Sequence, residues 1–187
     1  RTDTSTSSQI TLYENMEKAA KALQTSVKDL QNINLGTDTD KEDTQDSIKK
    51  KLFEQIDEFA GDYNSLYKSL DQAGGTTNTM FQKQLKALFT TNQKNLAEIG
   101  ITMDAKGTLS IDSKTLEAAD VDKLQKIFCD KDSFAARVSD KCETIKSCAN
   151  STIKVLNRMY GTQTAYNRYG TNGYYYGSSG SRYNAKS

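Results

Sequence analysis

The chain has 187 residues, with 25 Lys and Arg against 24 Asp and Glu, a formal net charge of +1, three Cys, and no His, Pro or Trp. So even a charge balance gives no electrostatic basis for general nucleic-acid binding, which needs a basic face to release counterions. The missing His removes the commonest general base, the Ser-His and Cys-His nucleophile pairs and most metal sites. With 35% hydrophobic residues a large globular core is not expected, while the absence of Pro favours long uninterrupted helices.

Arg1 to Ser8 are rich in Ser, Thr and Asp and are expected to form a disordered leader. From residue 9 to residue 160 the spacing predicts a helical trunk. Tyr13, Met16, Ala20, Leu23, Val27 and Leu30 step by three and four, the narrow seam of a coiled coil. A polar, acidic run from Gly36 to Asp46 interrupts it. Ile48, Leu52, Ile56, Phe59, Tyr63, Leu66 and Leu70 then repeat the pattern, and Gly74-Gly75 ends this second helix. Lys49-Lys50-Lys51 reads as a solvated face. Tyr63 falls on the seam and is expected to be a core tyrosine whose hydroxyl reaches the edge.

A third helix is predicted over about Thr77 to Ala97, carrying Phe81, Leu85, Leu88 and Leu96. There the period changes from helical to two. Ile99, Ile101 and Met103 alternate with Gly100 and Thr102, and Leu109 and Ile111 alternate with Thr108 and Ser110. Between them Asp104-Ala105-Lys106-Gly107 reads as a short turn, with Asp104 opening it and Gly107 supplying a positive φ. A β-hairpin over 99–111 follows, and since two strands alone are marginal in water it must lie on a helix or pair with another edge. Asp112 or Ser113 caps a short helix, Val121, Leu124 and Phe128 form an apolar patch, and Asp132 or Ser133 caps a last long helix. Its seam, Phe134, Val138, Cys142, Ile145, Ala149, Thr152, Leu156 and Met159, is weaker, because Cys142, Ala149 and Thr152 bury little area. The fold class expected is therefore mainly α: an elongated antiparallel helical bundle or coiled coil with one small β-hairpin insertion.

Beyond Gly161 the composition shifts to Tyr, Gly, Ser and Asn without Asp or Glu. Residues 161–187 are read as a flexible tail that cannot build its own core.

Sites of chemistry are few. Three Cys fall short of a structural zinc set. Cys142 and Cys148 stand about 9 Å apart along one helix and cannot bridge; they read as small buried hydrophobes, and Cys129 as the best candidate for an exposed thiol. Asp104, Gly107 and Asp112 fail as a calcium loop, because Lys106 and Ser113 fall on ligand positions. No catalytic, cofactor or metal residue is assigned, and no cofactor or small-molecule substrate is expected. No run has the apolar length of a membrane span, and no start resembles a secretory signal, so membrane insertion is not expected and export requires a signal-less route or prior cleavage.

Leu96-Ala97-Glu98-Ile99-Gly100-Ile101, then Lys106-Gly107-Thr108-Leu109-Ser110-Ile111-Asp112, then Val121 and Ile127-Phe128, stand in the order of motifs found in the trunk of the flagellar filament-capping, or hook-associated protein two, family. Phe59-Ala60-Gly61-Asp62-Tyr63-Asn64-Ser65-Leu66 is similar to its upstream Phe-Val-x-x-Tyr-Asn-x-Leu pattern, with Ala60 in place of Val. The resemblance covers roughly Ile48 to Met159. That family carries large head domains where this chain has only Gly36 to Asp46, which reads as a trunk reduced or excised from a longer protein.

The resemblance implies a structural, non-enzymatic protein outside the cell on the bacterial flagellum, oligomerising with itself or with axial partners such as flagellin and hook-associated proteins. Exposed seam residues of the first and last helices, Leu23, Val27, Leu30, Leu156 and Met159, are the expected assembly contacts. An alternative reading is a cytoplasmic helical adaptor or regulator that binds a partner through the Tyr-rich tail.

Overall fold

The computed structural model describes residues 3–33 and 42–169, with side chains at 6–33 and 46–159. Its elements are α1 (Asp3–Gln31), α2 (Glu42–Ala73), α3 (Gly75–Glu98), β1 (Ile101–Met103), β2 (Leu109–Ile111), α4 (Ser113–Ala118), α5 (Val121–Leu124) and α6 (Phe134–Tyr169). The chain is thus mainly α with one small antiparallel hairpin, the class that the periodicity predicts. The Gly36–Asp46 linker and the Tyr-rich tail lie largely outside the described residues. α1 begins at Asp3, inside the stretch read as a leader, and α6 runs past Gly161 to Tyr169.

The long helices alternate in direction. Ser26 Oγ donates to Asp62 Oδ2 and ties the last third of α1 to the second half of α2. Asn78 Nδ2 donates to Tyr13 Oη at 3.5 Å, which sets the α2–α3 corner beside the first third of α1. Asn150 Nδ2 donates to Glu17 Oε1, and Gln24 Nε2 to Glu143 Oε2, so α6 descends as α1 ascends. The corner itself needs glycine: Gly74 has φ +62 and the next helix starts one residue on.

The apolar seams meet inside this arrangement. Met16, Leu23, Leu30, Leu52, Ile56, Phe59, Leu66 and Leu70 are essentially inaccessible, with Leu85, Leu96, Val138 and Ile145 around them. Each fully buried side chain of this size contributes about 1.5–3 kcal/mol relative to exposure. Phe59 is the junction. Its ring meets Phe128 edge-on at 5.4 Å and Phe134 at 6.0 Å, joining α2 to the start of α6. Phe128 belongs to a π-helical turn, Gln125–Cys129, that continues α5 and that nothing in the spacing signals. Ser133, rather than Asp132, caps α6, its Oγ accepting from Ala136 N.

The hairpin is the shorter one that its turn allows. Ile101 pairs with Ile111 and Met103 with Leu109, while Ile99 lies buried at the end of α3 rather than in a strand. Gly100, at φ +85, redirects the chain there, and a Cβ on it would sit 2.8 Å from Asp112 O. Asp104 Oδ1 accepts from Thr108 N and its carbonyl from Gly107 N, closing the turn as expected. Gly107 has φ +86, and a Cβ there would fall within the ring of Tyr67. The turn is therefore pressed onto α2.

α2 also holds the strand. Asn64 donates from Nδ2 to Leu109 O at 2.9 Å and accepts at Oδ1 from Leu109 N at 2.7 Å, so one side-chain amide occupies both outward backbone groups of Leu109. Lys86 Nζ reaches Ala105 O from α3. The requirement that two strands lean on a helix is met by these contacts.

Candidate assembly surface

The expectation that Leu23, Val27 and Leu30 stand open to neighbours is corrected by the structure. Their side chains are 0, 1 and 0% exposed, buried within this chain. The reason is tertiary: α2 covers the same α1 seam that a partner would have covered, and a narrow heptad seam looks alike in both cases. Leu156 is half-buried and Met159 is 62% exposed, so of the five expected contacts only this α6 pair is accessible.

What separates the two groups is position along the rod. The α2–α3 corner sits beside Tyr13, and beyond it only α1 and α6 continue among the described residues. On the body side of the corner α6 is sealed through Ala149. Past it burial stops: Ile10, Tyr13, Ile153 and Leu156 are half-buried between the two helices, and Val155 is 52% exposed. A two-helix stalk cannot cover an apolar stripe that a four-helix section covers, since each helix lacks a second neighbour. Val155 was missed by the seam analysis because it lies one position off the heptad. Its signal was a second aliphatic beside Leu156.

Polar contacts also tie α6 to α1 within the body. Lys146 Nζ lies 2.6 Å from Glu143 Oε2 and donates to Gln24 Oε1 at 3.2 Å. The lysine and Gln24 hydrogen bonds hold the Glu143 carboxyl below the usual carboxylate range. From Thr144 to Ser187 the sequence contains no Asp or Glu, so the stalk half of α6 carries only positive charge, with Lys154 and Arg158 among its exposed residues.

The remaining sequence candidates are placed as follows. Cys142 is buried, and burial pushes its thiol up to about 12. Cys148 is half-buried. Cys129 is not the exposed thiol expected: it ends the π-helical turn half-buried, and burial raises it to about 11. Tyr63 is a core residue, but its hydroxyl is not at the edge. It is buried without a hydrogen-bond partner, under a stacked Tyr67 ring at 6.2 Å, and burial pushes its ionisation well above the ordinary tyrosine range. Lys49 lies over the Phe53 ring at 5.5 Å, whereas Lys50 and Lys51 face solvent. Among the described residues no group of three or more Cys, Asp or Glu is placed to hold a metal ion, and no helix is long and apolar enough to cross a membrane.

These features define a class: a helical rod with a latched hairpin and a protruding two-helix stalk. The family model described as flagellar hook-associated protein 2 C-terminus matches residues 74–171, a little over half of the chain, and the chain belongs to that family. The match begins at the α2–α3 corner, so it takes in the hairpin and α6 but not the Phe59–Leu66 motif of α2. No curated protein and no solved structure matches. Membership assigns a structural role of the flagellar cap or hook-associated type.

Proposed function

We propose that this chain is the trunk of a flagellar cap or hook-associated protein, non-enzymatic, working outside the cell and assembling through its helices with copies of itself or with axial subunits such as flagellin and hook-associated proteins. The observation that carries this reading is the stalk: α1 and α6 extend past the sealed body with Val155 and Met159 open on α6. Helices that leave an apolar stripe uncovered gain from burying it against other helices, by about 25 cal/mol per Å² of apolar surface. The family assignment supplies the context for the partners.

Purified axial subunits of the flagellum are the test. Val155→Glu combined with Met159→Glu is expected to abolish co-sedimentation with them while leaving the thermal midpoint of the chain nearly unchanged, because both side chains are largely exposed. Wild-type co-sedimentation by this variant, or none by the wild type, overturns the reading.

A further inference from the structure

Ser26 stands apart among the hydroxyls of this fold. Among the described residues the buried polar side chains are Ser26, Asn78 and Ser133. Two of them have local roles: Asn78 Nδ2 donates to Gly74 O at 2.7 Å at the corner, and Ser133 caps α6. Thr25, next to Ser26, turns its hydroxyl back onto Lys21 O, four residues earlier, as Ser65 and Ser69 do onto Gly61 O and Ser65 O. Ser26 instead gives its proton across the helix interface, to Asp62 on α2. It does so between Leu23 and Leu30, both sealed in the core.

Asp62 depends on that hydroxyl. It is half-buried beside Tyr63, the Cys142 thiol feels its charge, and among the described residues no Lys or Arg pairs with it. A carboxylate so placed is destabilising wherever it meets no donor. Displacements that keep one helical stripe on another are three, four or seven residues. They would set Leu23, Asp29, Ala22, Leu30, Ala19 or Ile33 opposite Asp62 in place of Ser26, and none of those side chains donates a hydrogen bond.

The other contacts of α1 discriminate less. Moved seven residues toward the stalk, α1 would bring Leu23, Val27 and Leu30 to the places of Met16, Ala20 and Leu23, so the seam stays apolar except at its last turn. Gln31 would replace Gln24 beside Glu143, and Gln24 would replace Glu17 beside Asn150, each able to hydrogen-bond there. Tyr13 would leave Asn78, which keeps its bond to Gly74 O. At Asp62 an isoleucine would stand where the donor was.

We infer that Ser26 and Asp62 form a register key: this polar pair fixes the level of α1 against α2, and with it how far α1 protrudes in the stalk. A slip of seven residues would change that protrusion by about 10 Å, at about 1.5 Å per residue. A polar pair set in an apolar helix interface can select one alignment while adding little stability. The key belongs to the fold, so it holds whichever surface the stalk meets.

Nitroxide amino acids at Gln9 and Thr79, exposed on α1 and α3, read the level of α1 by pulsed electron paramagnetic resonance on the full chain. The otherwise unchanged chain should give one distance. Ser26→Ala combined with Asp62→Leu should keep the thermal midpoint or raise it, while adding a second population longer by up to about 10 Å. Asp62→Asn, which still accepts from Ser26, should retain the single distance. One unshifted distance in the double variant overturns the key. So does a fall in its thermal midpoint, which would make the pair a source of stability and not of alignment. A second population in Asp62→Asn overturns it as well, since the hydrogen bond would then not be what selects the level.

Discussion

Two stretches of α6 carry the same kind of sequence and meet different fates. From Phe134 to Ala149 its seam is sealed by the other helices of the body, whereas from Ile153 to Met159 only α1 lies beside it among the described residues. The seam residues Ile145 and Leu156 have equal claims to a core by hydrophobicity. What decides between them is the turn at Gly74, which ends α2 opposite Tyr13 and leaves the stalk two helices short. An apolar stripe is thus stabilising in the body and available in the stalk.

The largest difference should appear on truncation. Phe59→Ala removes a ring packed against Phe128 and Phe134 in the body and should cost about 3–5 kcal/mol, while Val155→Ala should change stability by less than about 0.5 kcal/mol. Paired denaturant titrations read both directly, and equal losses would erase the distinction between body and stalk.

Next comes the hairpin latch. Asn64→Ala leaves both outward backbone groups of Leu109 without their partner, at a cost of about 1–3 kcal/mol. Amide exchange should then quicken at Leu109 and its strand neighbours while α6 amides around Ile145 keep their protection. Uniform acceleration along the chain would show instead that hairpin and body open together.

Alkali sharpens the same contrast. Folded Cys142 holds its proton to about 12, against an ordinary value of 9.0 in the unfolded chain. Its contribution to stability is therefore complete below pH 9 and is lost as pH rises from 9 through 12, by up to about 1.4 kcal/mol per pH unit. Cys129 and Tyr63, shifted in the same direction, add to the slope. Cys142→Ala should flatten the curve of stability against pH above 9, and an unchanged slope would place the alkaline loss elsewhere.

The smallest effect is expected at Tyr63. Its hydroxyl has no partner in the core, so Tyr63→Phe relieves a desolvated polar group and should leave stability unchanged or raise it by about 1 kcal/mol, as read from the chemical midpoint. A loss of more than that would mean that the hydroxyl is bonded through a water.

Much of this molecule was legible in the residues. The step of three and four placed α1, α2 and the buried half of α6, the switch to alternation read from Ile99 placed β1 two residues early, and Asp104 with Gly107 specified the turn down to its hydrogen bonds. Ordered motifs around Ile99–Asp112 carried the family resemblance that the family model bears out. Less legible were contacts that depend on a distant element. That Asn64 would serve as a surrogate strand for Leu109 and that Gly107 would take the ring of Tyr67 depend on residues far apart in the chain, and the trapping of the Tyr63 hydroxyl depends on how the helices pack around it.

Leu23 and Leu156 show where the division falls. Each sits on a heptad seam, and periodicity establishes that such a side chain faces another helix, because only that orientation removes its surface from water. It does not establish whose helix. That was decided by where the chain turned back on itself: α2 reaches Leu23 and stops short of Leu156, so the first is fully buried and the second stays half-exposed.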